Sequence, residues 1–148
     1  MKNPRTRSRE HALQALFYMD MRNSMSQETL DSYCGNFDIS KKSLPFFLEI
    51  TKGIIPIISE LDEIVERFSD NWKISRMSCV DRNAIRIAVY EMFFCEDVPV
   101  KVSINEAISL GKKFDTEESG AFVNGILDSI RIAMEKKQIS PPSCKSLD

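Results

Sequence analysis

Apolar residues recur at steps of three and four along almost the whole chain, a period that fits α-helix and little else. Ala12, Ala15, Leu16 and Met19 open the series, and Leu13 and Phe17 extend the same face. Ile57, Leu61, Ile64, Val65 and Phe68 repeat it, as do Ile104, Ala107, Ile108, Gly111 and Phe114. Phe122, Val123, Ile126, Leu127, Ile130 and Ala133 close it. Hairpin signals are missing: the one Asn-Gly pair, Asn124-Gly125, lies inside a helical stripe. The expected class is all-α.

Helix boundaries follow from caps and prolines. The first helix is expected from Ser8 to Met21, and a short one from Gln27 to Tyr33 ahead of the loop "CGNFDIS". Ser43 caps a third, with Pro45 in its first turn, where a missing N–H costs nothing. Pro56 kinks or restarts that helix. Ser78 and Asp81 form an S-x-x-D capping box that opens a helix from Cys79 to about Cys95. Apolar positions cover most of its circumference, which places it at the centre of the bundle. Pro99 opens the next helix, and Thr116 caps the last, with Glu117 and Glu118 at its positive end. We expect one domain over residues 1–138, with subdomains about 1–70 and 71–138, and a disordered tail over 139–148. Trp72, after a polar break, is expected to wedge between the subdomains.

Charge is polarised along a chain whose formal net charge is −2. Lys2, Arg5, Arg7 and Arg9 face only Glu10 within the first eleven residues, whereas residues 57–70 set five acids against Arg67. Cations at a helix N-terminus, beside free backbone N–H groups, make a local footprint for phosphate.

Catalytic chemistry has no foothold. His11 is the sole histidine, and Cys34, Cys79, Cys95 and Cys144 lie too far apart in sequence for a zinc motif. They read as free thiols of a reducing cytoplasm. No glycine-rich phosphate loop occurs. The hydrophilic start does not read as a signal peptide, and no apolar run approaches the ~20 residues of a membrane span. The expectation is no catalytic residue, no metal, no cofactor and no membrane, in a cytoplasmic protein.

Three stretches then point further. "RSREHALQALFYMD", "VDRNAIRIAVYEM" and "DVPVKVSINEAISLGKKFDTEESGAFVNGILD" resemble, in order and spacing, the NusB family of transcription antitermination factors. Pro99–Ile108 and Ser119–Asp128 carry the most specific part of the likeness, and residues 22–70 match in pattern only. The resemblance implies about seven helices in two packed helical-bundle subdomains, and a role without catalysis. It implies binding of the single-stranded boxA element of RNA together with NusE, a small-subunit ribosomal protein. It also implies work within an RNA polymerase antitermination complex, notably on ribosomal RNA operons. Whether the free chain is a monomer or a homodimer stays open.

The resemblance also assigns residues. Arg5, Arg7 and Arg9 would contact RNA, with Thr6 and Ser8 interrupting the denser basic run of relatives. Phe17 would stack on a base, enter the partner interface, or belong to the core. Asp81 would meet NusE, helped by Arg82, while also serving the cap. Glu118 and Asn124 would extend the RNA track along the last helix, with Phe122 either joining it or, as its place on the apolar stripe favours, packing in the core; Lys112 and Lys113 add charge, and Ala121 lacks a basic group found in relatives. Gly125 would serve close helix packing, and Asn105 and Glu106 would be buried structural polar groups. Two rival readings stand beside this one: a helical protein-interaction module with no RNA role, and an isolated domain of the type found at the N-terminus of RNA cytosine methyltransferases.

Overall fold

A computed structural model describes residues 3–70 and 72–143. Its described residues form seven α-helices and no strand: α1 (Pro4–Met21), α2 (Gln27–Asn36), α3 (Leu44–Ile54), α4 (Ile58–Arg67), α5 (Cys79–Phe94), α6 (Val100–Phe114) and α7 (Glu117–Glu135). Short 3-10 turns at Ile55–Ile57 and Ile74–Arg76 flank α4. The first of these holds Pro56, so the expected interruption occurs there.

Helix α1 starts four residues earlier than its apolar stripe suggests. Asn3 accepts from the backbone N–H of Thr6 at 2.8 Å, and Pro4 takes the first helical position. Asn-Pro is an N-cap and first-turn pair, and it puts all three arginines on the helix. Helix α2 is capped by Ser26 and runs on to Asn36, absorbing the first three residues of the expected loop. Ser43 does not cap α3. Its own backbone is helical, its hydroxyl donates to Pro4 O at 3.0 Å, and its carbonyl accepts from Ser8 Oγ at 2.6 Å. That residue ties α3 to the start of α1.

Helix α5 is buried around most of its circumference, as its composition requires, and it packs against α1, α3, α4, α6 and α7. A single apolar core runs through the described residues, from Leu16, Phe47 and Leu61 through Ile85 and Val89 to Leu127 and Ile130. Gly53 lets α3 meet α5, because a Cβ there would strike the Tyr90 ring. Gly125 does not serve close packing: a Cβ there would meet open space, and the tight α6–α7 approach falls at Gly111 and Gly120. Beyond α7, Ile139 packs on the core and Pro142 is buried, so the expected tail is held at its start. Cys144 and the rest of that tail lie outside the described residues, as does Lys2; Cys34, Cys79 and Cys95 are free thiols.

Helices α1 and α5 run antiparallel and are pinned at both ends by buried ion pairs of opposite sense. Near the start of α1, Arg9 donates two bonds of 2.8 Å to Glu91, a carboxylate that also accepts from Ser103 Oγ at 2.9 Å. Near its end, Asp20 accepts from Arg82, Asn83 and Arg86 at 2.9, 2.7 and 3.2 Å. Arg86 also grips Asp62 of α4 through two bonds of 2.8 Å. Burial pushes the Asp20 carboxyl up, but Arg86, Asn83 and Arg82 together pull it further down, to below the usual carboxylate range.

Candidate nucleic-acid interface

The first turns of α1 sort the three arginines by helical phase. Arg5 and Arg7 are exposed, whereas Arg9 points inward and is 2% exposed. This corrects the surface reading of Arg9: the edges of its guanidinium are committed, through Nε and Nη2 to Glu91 and, at 3.3 Å, through Nη1 to Glu106. The little of it that is exposed lines a hollow shared with Arg5, Asp97 and Glu106. Arg5 bonds Asp97 at 2.8 Å, and its guanidinium lies 4.4 Å from the Phe46 ring centre. Asp97 is held below the ordinary carboxylate range by that arginine. Arg7 donates to Glu10 at 3.2 Å, and Lys113 of α6 grips the other oxygen of the same carboxylate at 2.7 Å. Glu10 is itself buried, so the pair forms a bridge with its cations outward and its anion inward.

Beside this bridge lies an apolar groove lined by Leu13, Gln14 and Phe17 of α1, Val80 of α5 and Phe114 of α6. Phe17 and Phe114 are 42% and 37% exposed. Phe17 therefore lies off the buried face of α1 instead of extending it. The stripe of α6 likewise ends before Phe114, a residue that periodicity assigns to the core. The usable signal was small: two phenylalanines, each at the edge of its helix's apolar arc.

The acid expected against a protein partner is not on the surface. Ser78 Oγ accepts from Asp81 N–H at 3.0 Å, but the reciprocal half of the expected box is absent. The Asp81 carboxyl turns into the α5–α6–α7 corner and is 8% exposed, with Oδ1 lacking a hydrogen-bond partner. Ser78 and Ser119 spend their hydroxyl protons on Asp115 instead, at 2.8 and 3.0 Å. Burial pushes the Asp81 carboxyl up, and the charge of Asp115 adds to the effect. Arg82 is also turned inward, to Asp20, with its side chain 19% exposed.

On α7, Glu118 is exposed in the first turn, Phe122 is half-buried against the core, and Asn124 is exposed. Asn124 lines a groove between α6 and α7 together with Lys101, Ile104, Asn105, Asp128 and Arg131. Asn105 is thus a surface residue, contrary to its expected burial, while Glu106 is partly covered and accepts from Thr6 Oγ1 at 2.7 Å. Lys112 and Lys113 are exposed near the end of α6, and Ala121 is exposed on α7. Trp72 does not wedge into the fold; it is 52% exposed. Among the described residues, no group of three His, Cys, Asp or Glu side chains is placed to hold a metal ion, and no helix is long and apolar enough to cross a membrane.

Comparison with known proteins gives the family of the chain and its structural neighbours. The sequence pattern of the NusB family matches residues 6–131. A transcription antitermination protein NusB from Desulfatibacillum aliphaticivorans is 53% identical over 134 residues, 90% of this chain and 94% of its own. The T. maritima NusB structure is 36% identical, covers 94% of this chain and all of its own, and superposes with a TM-score of 0.77. A crystal structure of antitermination factors NusB and NusE in complex with double-stranded RNA contains a chain 27% identical to this one. It covers 90% of this chain and 99% of its own, with a TM-score of 0.77.

Proposed function

This chain belongs to the NusB family, and from that premise we propose that it is an antitermination factor that acts as half of a heterodimer. With NusE it binds boxA-type single-stranded RNA in the cytoplasm and helps RNA polymerase read through terminators, notably in ribosomal RNA operons. The role is binding, with no catalytic step. One observation carries the reading: two unlike surfaces adjoin. The Arg7–Glu10–Lys113 bridge ends at Phe114, whose ring centre lies 5.2 Å from Lys113 Nζ, and Phe114 lines the groove that holds Phe17. Outward cations suit phosphate, and an adjoining apolar groove with aromatic walls suits a protein. Arg5 extends the cationic edge, and Asn124, Phe122 and the acidic Glu118 carry the RNA track on along α7 through contacts other than positive charge. The Phe17 groove takes NusE, and it is also the face through which a free homodimer would form.

The test is a fluorescence-anisotropy titration of boxA-like single-stranded RNA against a scrambled control, with and without NusE, over a series of salt concentrations. NusE should tighten binding selectively for the boxA sequence. The logarithm of affinity should fall with the logarithm of salt, by about 0.7 for each phosphate engaged. Replacing Arg5 and Arg7 with alanine should lower that slope. Binding no better than the scrambled control, with NusE present and bound, would leave a protein-interaction module and overturn the reading.

A further inference from the structure

The connection between α4 and α5 presents a second aromatic and cationic surface. Trp72, the chain's one tryptophan, shares a hollow with Lys73, Ser75 and Arg76. Most basic residues of the described α1, α5, α6 and α7 are tied to an acid or a ring. Arg5, Arg7, Arg9, Arg82, Arg86, Lys113 and Arg131 all hold carboxylates, and Arg22 lies on Tyr18. Lys73 and Arg76 are exposed and enter no ion pair among the described residues. Glu66, the acid that reaches this turn, accepts from the Ile74 backbone N–H at 2.7 Å and so fixes the turn.

We propose that this hollow is a further contact for single-stranded RNA, in which a base stacks on the Trp72 indole while Lys73 and Arg76 take the adjoining phosphates. The inference rests on the reading of this chain as an RNA binder. An exposed aromatic face beside free cations is the arrangement that holds single strands without reading their sequence. An acidic peptide would use the two cations but leave the indole face in water, whereas a nucleotide uses both. Both cations follow the indole in sequence and line the same hollow, so a strand tracking along the turn meets phosphate partners next to the stacked base.

The one tryptophan makes the test direct, because intrinsic emission then reports on Trp72 alone. Full-length protein is titrated with boxA-like single-stranded RNA, and tryptophan emission and the anisotropy of labelled RNA are followed together. Emission should be quenched along the same isotherm as the anisotropy. W72A should bind at least about fivefold more weakly, the lower end of a base–aromatic stack, and W72F should recover most of the loss. The K73A/R76A double variant should lower the salt slope by about 0.7 for each phosphate lost. Trp72 is half-exposed, so circular dichroism of W72A should match the parent. RNA binding with unchanged emission and a parent-like W72A overturns the proposal. So does quenching by NusE alone with no further change on adding RNA, which would make the hollow a protein contact. Absence of RNA binding in both channels, with NusE present, overturns the functional reading itself and this site with it.

Discussion

Removing Arg9 should unfold more of this protein than removing any other arginine of its basic start. The guanidinium donates two bonds of 2.8 Å to Glu91, which is 1% exposed, and approaches Glu106 at 3.3 Å. Truncation to alanine leaves the Glu91 carboxylate in the interior with Ser103 as its remaining hydrogen-bond donor. Breaking one side of a buried pair costs about 3–5 kcal/mol, a large share of a typical stability of about 5–15 kcal/mol. At about 2–4 °C per kcal/mol for a chain of this size, the melting temperature should fall by roughly 6–20 °C. Arg5, whose pair with Asp97 is open to water, should cost about 0–1 kcal/mol when replaced in the same way. Urea titrations of R9A, R5A and the parent would compare midpoints at constant slope. The double variant R9M/E91M separates lost charge from lost packing, since an apolar pair of similar volume should recover most of the stability. A parent-like midpoint for R9A together with weakened RNA binding would refute the argument and return Arg9 to the surface.

Two further outcomes follow from the opposite end of the α1–α5 pair. Asp81 carries a carboxyl raised by burial, so its contribution to stability is present below the unfolded value near 4 and is lost as pH rises through the folded value. D81N should therefore raise the urea midpoint at pH 7 and change it little at pH 4; equal destabilisation at both would contradict the buried geometry. Phe17, on the groove wall, should matter for binding and not for folding: F17A should cost at least about 1 kcal/mol of NusE affinity while moving stability by no more than about 0.5 kcal/mol. Calorimetric titration and a thermal melt of the same sample check both halves.

Local pattern made the helical class and the central place of α5 legible, because each depends on residues within one or two turns. The cap at Ser78 was legible for the same reason. What escaped was everything decided across the chain. Arginine at position 9 reads as solvated until Glu91, 82 positions away, is folded against it. Asp81 has the spacing of a cap acid, and only the close passage of α6 at Gly111 explains why its carboxyl turns inward. Arg82 was drawn in by Asp20, 62 positions earlier. Phe114 continues a perfect stripe, yet the groove beside Phe17 leaves it uncovered. The start of α1 is a different kind of miss, since Asn3-Pro4 was in plain view and the apolar stripe drew the boundary instead.

The opposed ion pairs along α1 and α5 also set an order on synthesis. Arg9, Asp20 and Asp62 belong to the first four helices, but the residues that satisfy them, Arg82, Asn83, Arg86 and Glu91, emerge from the ribosome only with the fifth. Until then these three charges must keep their water, and α1 cannot settle onto the growing core without stranding them. The nascent chain stays unfinished through α4, and α5 supplies the missing partners before α6 and α7 cover it. A gene cut near residue 70 should yield two halves that fold only when mixed.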